Sequence, residues 1–126
     1  MEKKRLLIID DENDFLTIAK INLEQAGKYE VMVLPSAKDI ISAVHSFHPH
    51  LILLDALMPT IGGIEACEML NSDPQGANIP TVMLSALDKD QDKLKAYKVG
   101  VVDYLVKPIE KDELLAKIEK VLESRT

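Results

Sequence analysis

Polar groups suited to phosphoryl or metal chemistry recur at the ends of short apolar runs in this chain. Asp10 and Asp11 follow Leu6–Ile9, Asp55 follows Leu51–Leu54, Ser85 follows Thr81–Leu84, and Lys107-Pro108 follows Tyr104–Val106. Singly, each has a plainer role. An aspartate after a strand commonly caps a helix or forms a turn, and a lone serine or lysine there means less still. Brought to one edge, they make a site. Three carboxylates and one ammonium sum to −2, and two like charges about 4 Å apart repel by roughly 4 kcal/mol at an effective dielectric of 20. Such a cluster either raises a carboxyl pKa or holds a cation. A divalent, oxygen-seeking ion brings the sum to zero. Few carboxylates in an open crevice suit magnesium, which keeps several waters and often meets a phosphate. The hydroxyl and the ammonium would hold the remaining phosphate oxygens. Ser85 has no neighbouring histidine to act as its base, whereas a carboxylate is already a deprotonated nucleophile. One run supplies two carboxylates for metal and another a single one, so Asp55 is the natural acceptor, with magnesium and Lys107 neutralising charge.

The elements that must position these residues follow from hydropathy. The apolar runs, with Val31–Leu34 and Val102 added, have the length and continuity of strands buried on both faces. Between them lie helical patterns. Phe15, Leu16, Ala19 and Leu23 are followed by a stop at Gly27. Ser36 is a candidate N-cap for a helix burying Ala37, Ile40, Ile41 and Val44. Ile64, Cys67 and Leu70 mark a third helix, Leu94 and Tyr97 a fourth and least apolar one, and Leu114, Leu115, Ile118, Val121 and Leu122 a fifth. Five βα units imply an α/β fold: a five-stranded, doubly wound parallel sheet with helices on both faces and ligands at the carboxyl ends of the strands.

The chain's 126 residues suit one domain, spanning 1–126, and its composition, 47% hydrophobic and 29% charged, excludes a disordered chain. No apolar run approaches the roughly 18 residues of a membrane helix. The basic Lys3-Lys4-Arg5 precedes an apolar run that Asp10-Asp11 cuts too short for a signal peptide. With Cys67 as the single cysteine there is no internal disulfide, and a cytoplasmic location is expected. A net charge of −6 without a basic stripe makes a poor nucleic-acid binder. Neither Gly-x-Gly-x-x-Gly nor a Gly-Lys-Ser/Thr loop is present.

The chain resembles, over essentially its whole length, the receiver domain of two-component response regulators. The resemblance is carried by Asp10-Asp11, by Asp55 followed by Met58-Pro59 and Gly63, by Ser85-Ala86, and by Asp103–Pro108. It implies the flavodoxin-like (βα)5 strand order 2-1-3-4-5. It also implies a phosphorylation-dependent switch in which Asp55 takes a phosphoryl group from a sensor histidine kinase or a histidine phosphotransfer protein. Such a domain is not an enzyme in the conventional sense, although it catalyses its own phosphorylation. Asp11, Asp55 and the backbone carbonyl of Leu57 would ligate magnesium, with Asp10 acting mainly through water. Lys107 and Ser85 would contact the phosphoryl group, aided by the amide of Ala86. Tyr104 would turn inward as Ser85 moves, remodelling the face of the fourth helix, fifth strand and fifth helix. The Lys107-Pro108 bond would be cis, against the general trans preference. Phosphorylation-driven dimerisation, the output, and whether the domain stands alone are left open.

Some positions depart from the usual pattern. Gly62 stands where Asp or Asn is commoner, and Ser85 replaces the commoner Thr. Leu57 and Leu87 are apolar where side chains influence the phosphoryl lifetime, so slow self-dephosphorylation is expected. His45, His48 and His50 invite a metal reading, but they precede the third strand, at the edge opposite Asp55, and are expected to form a solvated turn. Cys67 is expected to be a buried thiol, Asp103 a surface residue and Tyr97 a core one. Two rivals stand beside the switch. A phosphatase of the haloacid-dehalogenase type would want Asp-x-Asp where this chain has Asp10-Asp11-Glu12. A pure interaction module would not need the full set of charged residues.

Overall fold

The computed structural model describes residues 2–125. Five βα units follow one another: β1 (Lys4–Ile9), α1 (Asn13–Gln25), β2 (Tyr29–Leu34), α2 (Ile40–Phe47), β3 (Leu51–Asp55), α3 (Gly63–Asn71), β4 (Thr81–Ser85), α4 (Asp90–Lys98), β5 (Asp103–Val106) and α5 (Lys111–Glu123), with a short 3-10 turn at Gly76–Asn78 before β4. All pairings are parallel, and the strand order is β2-β1-β3-β4-β5. This is the architecture expected from the sequence.

Strand alternation divides the core in two. Leu6, Ile8, Leu51, Leu53, Val82 and Leu84 pack on one side with α1 and α5, through Leu16, Leu23, Leu114 and Ile118. Leu7, Ile9, Ile52, Leu54 and Met83 pack on the other with Ile40, Val44, Cys67, Leu70 and Ala96 of α2, α3 and α4. Every side chain from Leu6 to Ile9 and from Leu51 to Leu54 is fully buried. That is why those runs are apolar without alternation, and why β1 and β3 hold Asp10 and Asp55 side by side: Ile9 pairs with Leu54.

Two helices differ from their sequence patterns. Helix α2 begins at Ile40, not just after Ser36. Ser36 Oγ instead accepts the Lys38 N–H at 3.4 Å in a turn, and Ala37 is buried ahead of the helix. In α4 the buried position is Ala96, while Leu94 and Tyr97 are 55% and 46% exposed, so Tyr97 is not a core residue. Leu94 and Tyr97, three residues apart, share a face, but the smaller Ala96 lets α4 lie close against Met83 and Tyr104. A short helix with single apolar residues on several faces does not reveal which one meets the sheet.

Two backbone features lie in the loop after Asp55. Gly63 donates its N–H to Ala56 O at 2.9 Å. A Cβ there would lie 2.7 Å from both Ala56 Cα and Asp55 O and 2.9 Å from Met83 Sδ. Two of these neighbours are backbone and cannot yield. Gly63→Ala is therefore expected to cost about 3 kcal/mol, read as a lower urea midpoint, and an unchanged midpoint would show that the loop absorbs a methyl group. Thr60 has φ +70° at the centre of a tight turn closed by Ile61 N–H to Pro59 O at 2.8 Å. A β-branched residue there is strained by about 1–3 kcal/mol, and glycine costs up to about 1 kcal/mol through the unfolded chain. Thr60→Gly is expected to gain about 1 kcal/mol, and a loss of stability in thermal unfolding would contradict that account.

Candidate functional site

The carboxyl ends of β1, β3, β4 and β5 bring Asp10, Asp11, Asp55, Ser85 and Lys107 to one crevice. Asp10 is fully buried and Asp55 is 4% exposed, whereas Asp11 is exposed. Carboxylate oxygens of Asp10, Asp11 and Asp55 lie within 4.8 Å of one another, a spacing that fits a cation. Burial, then the charge of Asp10, pushes the Asp55 carboxyl up to about 7 against the opposing pull of Lys107. The site therefore lacks positive charge, as three carboxylates facing one ammonium must. An oxygen-seeking divalent ion suits that donor set better than a soft metal.

The other contacts fix each group. Asp10 Oδ1 accepts the Glu12 N–H at 2.9 Å, and Asp10 Oδ2 accepts Lys107 Nζ at 2.6 Å. Lys107 Nζ also donates to Glu12 Oε1 at 2.9 Å, lies 4.8 Å from the centre of the Phe15 ring and stays 3.9 Å from Asp55 Oδ1. Burial alone would lower the Lys107 pKa, but the bonds to Asp10 and Glu12 outweigh it and raise it above the ordinary lysine value. Asp55 Oδ1 accepts the Leu57 N–H at 3.4 Å, so the Leu57 contact made here is through its amide. Ser85 is fully buried, and its Oγ accepts the Leu87 N–H at 3.0 Å. The Tyr104 hydroxyl donates to Leu87 O at 2.8 Å. One residue thus joins Ser85 to Tyr104. Tyr104 is 9% exposed, so its ring occupies an interior position. The Lys107-Pro108 bond is cis, and Ala86 lines a groove with Lys107 and Pro108.

Two participants escaped the sequence reading, Glu12 and Phe15. The signal for Glu12 was present, since it extends the acidic pair into three consecutive carboxylates at the start of α1. That its side chain turns back to Lys107 is a tertiary fact. The three histidines do not converge. His45 Nε2 pairs with Asp73 Oδ1 at 2.7 Å, His48 ends α2 with φ +52°, and His50 Nδ1 accepts the Arg5 N–H at 2.9 Å. Cys67 is buried, and burial pushes its thiol up to about 11, leaving little thiolate for reaction.

A family model of the response regulator receiver domain matches residues 6–119. The chain belongs to that family. Among curated response regulators it is 38% identical, over 94% of its own length, to the DNA-binding dual master transcriptional regulator RpaA of a Synechocystis strain, and it spans 48% of that protein. It is 34% identical to the phosphate regulon transcriptional regulatory protein PhoB of Pseudomonas aeruginosa, covering 97% of this chain and 53% of that one. The chain thus spans about half the length of the curated relatives it matches. Among solved receivers, the Francisella response regulator 1452 receiver domain superposes with a TM-score of 0.89 at 27% identity, over 98% of this chain and 100% of that one. A CheY-like receiver from Methanospirillum hungatei superposes with the same TM-score at 26% identity, covering 98% and 96%. Receiver domains are components of two-component signalling and are not conventional enzymes. Among the described residues no helix is long and apolar enough to cross a membrane.

Proposed function

We propose that this receiver accepts a phosphoryl group on Asp55 from a phosphohistidine of a sensor kinase or a histidine phosphotransfer protein. The observation that carries the proposal is the grouping of the Asp10, Asp11 and Asp55 carboxylates, with Asp55 all but buried and the Lys107 ammonium against Asp10 and 3.9 Å from Asp55. In the transfer an Asp55 carboxylate oxygen attacks phosphorus and the P–N bond to the donor imidazole breaks. The bonding pair stays on the imidazole nitrogen, which takes a proton. Asp10, Asp11, Asp55 and the Leu57 carbonyl would hold magnesium, which supplies neutralisation of the charge on the transferring oxygens. Lys107 shifts to pair with the phosphoryl group. Ser85 Oγ, which here accepts the Leu87 N–H, donates its proton to a phosphoryl oxygen, and the Ala86 amide assists. The groove beside Lys107, lined by Phe15, Ile18, Ala19, Pro108 and Ile109, opens onto the same crevice and suits the donor protein's apolar face.

The output follows from the Leu87 link. Drawing Ser85 toward the phosphoryl group releases the Leu87 amide, and the same residue's carbonyl holds Tyr104. Phosphorylation thereby shifts the face made by α4, β5 and α5, which serves an output domain or target protein or forms a phosphorylation-dependent homodimer. The named relatives are transcriptional regulators. With its charge of −6, this domain acts on such an output through protein contacts and not by binding nucleic acid itself. We read residues 1–126 as one receiver domain working in the cytoplasm.

Intact mass after incubation with acetyl phosphate, with and without magnesium, tests the proposal. One added phosphoryl group, dependent on magnesium and absent in Asp55→Asn, supports it. Magnesium binding without labelling points to a strict phosphohistidine donor. Absence of both leaves a module that works without phosphorylation.

A further inference from the structure

Lys107 hydrogen-bonds Asp10 and Glu12 and meets Asp55 as a longer ion pair. Its Nζ lies 2.6 Å from Asp10 Oδ2 and 2.9 Å from Glu12 Oε1, against 3.9 Å from Asp55 Oδ1. Charge-assisted bonds form at about 2.7–2.9 Å, so the ammonium must shift to bond a group carried on Asp55. The two partners that hold it differ. Asp10 is fully buried, and its other oxygen is committed to the Glu12 amide. Glu12 is 64% exposed on its side chain and sits at the start of α1, its carbonyl accepting the Leu16 N–H at 3.1 Å. Phe15, three residues on, places its ring 4.8 Å from the same ammonium. The start of α1 thus draws the cation to its own side of the crevice.

We propose that Glu12 is a positioning residue for the phosphoryl chemistry of Asp55: its carboxylate holds the Lys107 ammonium in the resting arrangement and opposes the one in which Lys107 meets a phosphoryl group. The inference rests on the roles proposed above for Asp55 and Lys107. Two effects share one sign. The bond to Glu12 must be loosened before Lys107 can move, and a fourth carboxylate at the crevice repels an incoming anion. Because Glu12 is mostly exposed, the expected effect is modest, about two- to fivefold.

The test compares Glu12→Gln with the unaltered chain, using beryllofluoride as the phosphoryl surrogate at saturating magnesium and magnesium alone in parallel, both by NMR titration. Glutamine keeps the shape and removes the charge. Beryllofluoride binding is expected to tighten about two- to fivefold, while magnesium binding stays the same or weakens. A merely structural role would move both affinities in one direction. Unchanged or weaker beryllofluoride binding, or a parallel gain for both ligands, overturns the inference. If the unaltered chain takes no beryllofluoride, or takes it equally well after Asp55→Asn, the assignment of Asp55 falls and this inference with it. If it binds at Asp55 and Glu12→Gln changes nothing, only the role of Glu12 falls.

Discussion

Without divalent cations the domain is expected to lose stability as the pH rises from 3.8 toward 7, and Asp55→Asn is expected to lack that loss. The sign follows from linkage. The Asp55 carboxyl titrates at about 7 in the folded chain, against 3.8 for an ordinary aspartate. Below 3.8 both states hold the proton, so nothing is lost. Between the two values the unfolded chain has released it while the folded chain keeps it, and unfolding becomes easier with each step in pH. Above about 7 the loss is complete, on the order of 4 kcal/mol. Little of it is screened, because the Asp55 side chain is 6% exposed. His50, whose pKa burial and Arg5 lower, and Asp103, whose pKa Lys117 and the Tyr104 amide lower despite burial, contribute slopes of their own. Those slopes are common to both proteins and cancel in the comparison. Urea unfolding of both proteins across this pH range in a chelator reads the difference directly. Equal slopes would show that Asp55 is ionised without cost. Added magnesium should flatten the slope of the unaltered protein by mass action and do little for Asp55→Asn.

The second large effect is expected at Lys107. Lys107→Ala leaves the fully buried Asp10 carboxylate with the Glu12 amide as its remaining hydrogen-bond donor among the described contacts. Removing one partner of a buried pair costs about 3–5 kcal/mol, chiefly because the other charge stays behind. The expected loss is near the lower end, about 3 kcal/mol, since the lysine side chain is 14% exposed and also serves an exposed Glu12. Adding Asp10→Asn removes the stranded charge and should recover most of it, so the two substitutions should be strongly non-additive. Strictly additive losses, or a single-variant loss below about 1 kcal/mol, would overturn the account of a stranded charge. Lys107→Ala also removes the charge that pulls the Asp55 pKa down. A larger share of Asp55 then stays protonated at neutral pH, and a protonated carboxyl is a poor nucleophile, so labelling by acetyl phosphate should slow as well.

The fold was legible because its central strands are extreme. Runs such as Leu6–Ile9 and Leu51–Leu54 cannot alternate when both faces are covered, and all eight side chains are fully buried. Helix α5 was equally plain, with Leu114, Ile118 and Val121 buried on one stripe. Helix α4 was not. Its mixture of Lys, Asp and scattered apolar residues leaves the buried face undetermined, and the sheet selected Ala96 over Leu94 and Tyr97. The start of α2 is hidden for a local reason: Ser36 has the chemistry of an N-cap, but its hydroxyl serves a turn, and the helix begins four residues later at Ile40.

By itself the sequence determined which chemistry sits at the strand ends. In a parallel sheet every strand delivers its last residues to the same edge, so residue type and order alone place Asp10, Asp11, Asp55, Ser85 and Lys107 together. What only the tertiary structure decided is how their charges divide. Separations of 2.6 and 2.9 Å assign Lys107 to Asp10 and Glu12, against 3.9 Å to Asp55. The same packing joins Ser85 to Tyr104 through Leu87. Neither is visible in a linear pattern, because electrostatic and hydrogen-bond energies depend on separations between side chains on different elements, and the packed core sets those separations.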